Sequence, residues 1–195
     1  MMFTHRLPAA FQTREAALLL AMCFVIDFGL ALFQVPFAVA LVQVHGWDAG
    51  SLSRVQAGLA LLGGTLGALD IGAIVDRIGP RPARQALRLA CTVAFGIAGS
   101  LIAAGLAAGA GSVILGLASV VPAPLYVAVL LASREGRASA VQFQVHMAAV
   151  NLGDVTGAAL AGALGASTIL MALTVASVFL LCARAAHAPR PGSAQ

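Results

Sequence analysis

The sequence predicts an all-α integral membrane protein with six transmembrane helices, and three observations carry that expectation. Of the 195 residues, 61% are hydrophobic and only 9% are charged, against about 25% charged in an ordinary soluble domain. The apolar residues fall in long unbroken runs rich in Ala, Leu and Gly. A helical span needs about 20 such residues, so the length holds roughly six spans with tight loops and leaves no room for a separate soluble domain. The runs also lack the apolar–polar alternation over about 10 residues that marks the strands of a membrane β-barrel.

In chain order, Met1–Glu15 is a polar lead with Arg6 and Arg14. A signal peptide is a poor reading of it, because the first apolar run is far longer than the roughly 7–15 residues of a signal core. That run is Ala16–Val44, with Pro36 as an expected kink. The second is Val55–Val75, the third Leu89–Ala108, the fourth Ser112–Ala132, the fifth Ala138–Leu164 and the sixth Gly165–Ala183. Only a Gly-Ala break divides the last two. The tail His187–Gln195 is polar and expected to be disordered. The domain plan is therefore a lead at 1–15, a six-helix membrane domain at 16–186 and a tail at 187–195. Cys23, Cys91 and Cys182 lie in or at the end of apolar runs, without metal or disulfide spacing, and read as small buried hydrophobes. No metal site or cofactor is expected.

The arginines orient the spans. With six spans, both termini and the second-to-third and fourth-to-fifth loops share one side. That side holds Arg6, Arg14, Arg77, Arg81, Arg84, Arg88, Arg134, Arg137, Arg184 and Arg190, and the other holds Arg54 alone. Basic residues mark the cytoplasmic side, which places both termini in the cytoplasm. The net charge of +4 does not argue for nucleic acid, because these residues sit at the ends of apolar runs.

Ionisable groups at membrane depth cost several kcal/mol unless they face a bundle interior or a wet cavity. Asp27 lies about 16 Å into the first span at 1.5 Å per residue, near the midplane, and Gln34 follows seven residues later on the same face. Asp154 is near the middle of the fifth span. Asp70 is close to the cytoplasmic boundary, where it reaches the interface or pairs with an Arg. On the fifth span Gln142, Gln144, His146, Asn151 and Asp154 fall on one broad arc, and Val145, Ala148, Ala149, Leu152, Val155 and Ala159 fall opposite. The polar arc either bonds neighbouring helices as packing glue or lines a polar cavity; five such groups favour the cavity. His146 lies about 80° from Asp154 on the helix wheel, and reads as a structural histidine or a proton relay. The third and sixth spans carry no charge and read as lipid-facing. The second carries a Gly63–Gly67 step that permits close helix packing. Pro36, and Pro122 with Pro124, interrupt the first and fourth spans, a pattern that marks transport paths when it recurs in corresponding helices.

Between the second and third runs stands Gly72-x-x-x-Asp76-Arg77-x-Gly79-x-Arg81. Its position after the second span, on the Arg-rich side, resembles the loop motif of the major facilitator superfamily, departing from it at Pro80, where the family usually has a basic residue. The resemblance implies one six-helix half of a twelve-span transporter, built as a 3+3 inverted repeat. The first and fourth helices would line the cavity, the third and sixth would be peripheral, and the fifth would flank the half-to-half interface. Gly72, Asp76, Arg77, Gly79 and Arg81 would then form a conformational latch that does not touch substrate. The segment Asn151-Leu152-Gly153-Asp154, with the upstream Arg137-Ala-Ser-Ala-Val-Gln-Phe-Gln, resembles the C-terminal half of the muropeptide permease and siderophore-uptake branch. This implies that Met1–Glu15 is the remnant of a central linker.

The expected function is transport of a small polar organic solute by alternating access, coupled to protons, in the bacterial inner membrane. Asp27, Gln34, Asn151, Asp154 and His146 are the candidates for solute or proton contact. The expected partners are the lipid bilayer, the solute and a second six-helix half, either another copy or a separate chain. The alternative is a truncated or non-transporting membrane protein that acts in assembly. An intramembrane serine protease would need a Gly-x-Ser-Gly site before a later His, and none precedes His146, so no enzymatic activity is expected.

Overall fold

The computed structural model describes residues 14–122, 139–164 and 167. The described residues form α1 (Arg14–Gln43), α2 (Ala49–Ile78), α3 (Pro80–Ala103), α4 (Ala107–Ser119) and α5 (Ser139–Leu164), and no strand is found among them. The described part of the chain is thus all-α. Ala17–Gln43 and Gln85–Ala103 are long and apolar enough to cross a bilayer, and α4 is a shorter apolar helix. The sixth run apart from Ser167, most of the polar lead, the tail, and the side chains of Asp70, Arg81 and Gln142 lie outside the described residues.

Helix boundaries follow local chemistry more closely than they follow the ends of the apolar runs. α1 stops at Gln43, and Gly46 supplies the positive φ (70°) that lets the chain reverse. α2 starts at Ala49, six residues before the apolar run does, because Asp48 caps it: the Ser51 amide donates to Asp48 Oδ2 at 2.7 Å. α3 ends through Gly105 (φ 74°), with the Leu106 amide donating to the Leu101 carbonyl at 3.0 Å.

The charged turn between the second and third runs is much shorter than its sequence suggests. α2 continues to Ile78, Gly79 breaks the helix at φ 81°, and Pro80 opens α3 at its first position. Gly72, Asp76 and Arg77 are therefore helical, and Arg81 stands in the first turn of α3. Charge ended the apolar runs there, but nothing except Gly79-Pro80 ends a helix. Of the fourth run only the start is described: α4 closes at Ser119 and residues 120–122 form a turn, because a proline cannot continue the helical hydrogen bonding. Residues 123–138, with the rest of that run and the loop carrying Arg134 and Arg137, lie outside the described residues.

α1 is the central helix. Leu19, Cys23, Ile26, Leu30, Phe33, Phe37 and Leu41 recur every three or four residues and are all buried, so they form one face. Phe33 stacks on Phe37 with centroids 5.4 Å apart and meets Phe95 of α3 edge to face, also at 5.4 Å. At one end, Trp47 joins the two hairpin turns. Its Nε1–H donates to the Ala108 carbonyl at 3.2 Å, and a Cβ on Gly111 would come within 2.7 Å of its ring. The α1–α2 and α3–α4 connections therefore meet at the same end of the bundle, as an alternating up–down chain requires.

α3 is not wholly peripheral. Ala83, Arg88, Cys91, Ala94, Phe95 and Ala98 are buried along one face, whereas Leu89, Val93 and Ile97 are exposed along the other. The expected lipid-facing character belongs to that second face only.

Candidate functional site

The site begins with a seam between α1 and α5. Gly153, Gly157 and Ala161 recur every four residues and lie on one face of α5. A Cβ added at Gly153 would collide with the Phe24 carbonyl oxygen and lie 3.0 Å from the Phe28 nitrogen. One added at Gly157 would collide with the Phe28 carbonyl oxygen and lie 3.0 Å from Ala31 Cβ. Ala161, 4% exposed, continues the seam with Leu32 and Phe28. The two backbones are in direct contact, and glycine is what permits it. The contacts advance in the same direction on both helices, so α1 and α5 run parallel. Sequence reasoning fixed on Gly63–Gly67 and missed this stripe; its signal was the fourfold spacing of Gly153, Gly157 and Ala161.

The seam sets the height of the acidic residues. Asp27 stands between Phe24 and Phe28, and Asp154 follows Gly153, so the two are level in the bundle. At about 100° per residue, Asp27 lies about 65° from the α5-facing direction of its helix, and Asp154 about 80° from the α1-facing direction of its own. The offsets have opposite signs, which in parallel helices places both residues on the same side of the seam. Gln34 and Asn151 share that side. Asp27 and Gln34 are half-buried, whereas Asn151 and Asp154 are exposed.

Two expectations about α5 need correction. His146 does not belong with the outward polar residues: it is 2% exposed and lies on the packed face. It also sits eight residues, or about 12 Å, along the axis from Asp154. Of the arc expected to be apolar and opposite, Ala148, Leu152, Val155 and Ala159 are exposed together with Gln144, Asn151 and Asp154. The smallest side chains, rather than the most apolar, decide which face packs, because only they let the backbones touch.

Gln34 has a defined contact. Its Nε2 donates to the Ala118 carbonyl of α4 at 3.0 Å. In a continuing helix that carbonyl would accept from residue 122, but Pro122 has no N–H to give. The Gln34 amide supplies the missing donor, and the Cys91 thiol similarly donates to the Val121 carbonyl at 3.7 Å. Gln34→Leu should cost about 1–3 kcal/mol by stranding a buried carbonyl. A lowered thermal midpoint of the purified chain is the measurement.

In the expected latch, Gly79 makes the turn, and Asp76 and Arg77 are exposed. Arg88, expected on the charged cytoplasmic rim, is instead 1% exposed on the packed face of α3, where its carbonyl accepts from Thr92 Oγ1 at 2.9 Å. Its position seven residues before Phe95 was the available signal, because that heptad step keeps a residue on the same face. Among the described residues, no group of three His, Cys, Asp or Glu side chains is placed to hold a metal ion. No protein-family model matches the chain, and neither a curated protein nor a solved structure matches it.

Proposed function

We propose that the chain is one six-helix half of a solute transporter of the major facilitator type, working by alternating access and coupled to protons. One observation carries this reading. α5, 26 residues long, packs its glycine face on α1 and leaves Asn151 and Asp154, both near its middle, exposed. A carboxylate at that depth costs about 2.5–3.5 kcal/mol or more against lipid, so it requires a polar neighbour. A water-filled path shared with a second six-helix half supplies one, and Asp27 on the same side of the seam extends it.

In this reading Asp27 and Asp154 contact the solute or the coupling proton, and Gly72, Asp76, Arg77, Gly79 and Arg81 act as the latch. The solute is a small polar organic molecule, and the resemblance of residues 151–154 to the muropeptide and siderophore branch supports one of that kind. The setting is the bacterial inner membrane with both termini in the cytoplasm. A second reading, a non-transporting assembly protein, is favoured by the helical glycines Gly58 and Gly64 of α2, which have open space beside them. Uptake into vesicles separates the two. The transporter reading expects solute-dependent proton entry when the chain is paired with a second half, and none from the chain when it cannot pair. Absence of uptake with every pairing, self-pairing included, supports the assembly reading.

A further inference from the structure

Arg88 has no role in the path just described, yet it is a fully buried cation at 1% exposure. Its height in the bundle follows from contacts on neighbouring helices. Leu41 packs at Gly111 and Gln34 reaches Ala118, so α1 and α4 are antiparallel. α3 and α4 form a hairpin across a short turn, with Cys91 reaching Val121, so they too are antiparallel. α1 and α3 therefore run parallel, and they touch where Phe33 meets Phe95. In parallel helices, residues one heptad from a contact stand level with each other and on the same faces. Seven residues before this contact are Ile26 on α1 and Arg88 on α3.

Asp27 follows Ile26, on the flank of α1 that carries Gln34 toward α4. The long, flexible arginine stem can cover that sidestep. A guanidinium enclosed in a membrane bundle needs an anion close by. Of the other acids with described side chains, Asp48 caps α2 at the far end of the bundle, and Asp76 and Asp154 are exposed. Asp27 is half-buried and level with Arg88, and each of the two is already held by an interaction with its surroundings.

We propose that Arg88 and Asp27 form a charge pair that ties α1 to α3 inside the bundle, with Arg88 as the positioning residue that fixes the Asp27 carboxylate beside the seam. The proposal goes beyond the transport reading and does not depend on it, because its tests read stability and proximity rather than uptake. In the purified full chain, Asp27→Asn and Arg88→Gln should each lower the thermal midpoint by roughly 10 °C. The double variant should lose about as much as either single variant, far less than their sum. Exchanging the charges, Asp27→Arg with Arg88→Asp, should recover part of the loss. Additive losses would overturn the proposal, as would coupling of Arg88→Gln to Asp70→Asn in place of Asp27→Asn. If the variants do not survive purification, Asp27→Cys with Arg88→Cys, in a chain whose three native cysteines are alanine, can be tested in native membranes. A short bifunctional thiol reagent should link the two positions, and failure to link them would overturn the proposal.

Discussion

Gly157→Leu should separate α5 from α1 and leave little folded protein. The position faces the Phe28 carbonyl oxygen so closely that even a methyl group collides with it. That atom belongs to a helical backbone and cannot step aside as a flexible side chain can. Overpacking in a tight core usually costs about 1–3 kcal/mol, and more where the obstacle is rigid. Gly153→Leu, opposed by the Phe24 carbonyl oxygen, should act in the same way. Gly64→Ala and Gly162→Ala provide the comparison, because each has open space at the added Cβ. These alanines should be neutral or stabilise the helices by about 0.4–1 kcal/mol. Thermal unfolding of the purified chain, read by loss of helical signal, should divide the four variants into those two classes.

Asp154→Asn should abolish transport and leave the fold intact. The residue is exposed, so the substitution removes charge and proton affinity without disturbing packing. If Asp154 carries the coupling proton, the loss in solute-driven proton entry should be roughly 100-fold or more, the scale associated with losing a positioned acid or base. An unchanged thermal midpoint should accompany it. Asp154→Glu, which keeps the carboxylate, should retain part of the activity. Full uptake by Asp154→Asn would take this residue out of the mechanism and leave Asp27 as the candidate.

Helix class was legible because unbroken apolar stretches without strand alternation are a long-range pattern. The ends of the helices were less so. Apolar runs stop at the first charge, whereas helices stop at a cap, a positive φ or a proline, as Asp48, Gly79 and Pro122 show. All five candidate polar residues lie on the helices expected for them, and the packing gathers four of them, Asp27, Gln34, Asn151 and Asp154, on one side of the seam. His146 separated from them because a helix wheel ranks faces by polarity, and here the packed face is selected by size. Arg88 was misplaced for a related reason: a count of arginines assigns sides of a membrane but cannot detect that one belongs to a packed heptad. Gln34 shows the converse limit. Its polarity suggested solute contact, and the bond it makes satisfies a carbonyl stranded by a proline on another helix.

The central claim is that the outward arc of α5 faces a polar path shared with a second half. Asn151→Cys, in a chain otherwise free of cysteine, tests it most directly in native membranes. A membrane-impermeant maleimide should label Cys at this position, and a bifunctional thiol reagent should link it to a second membrane subunit. Labelling only by lipid-soluble reagents, with no link to another subunit, would show α5 facing the bilayer and would contradict the account.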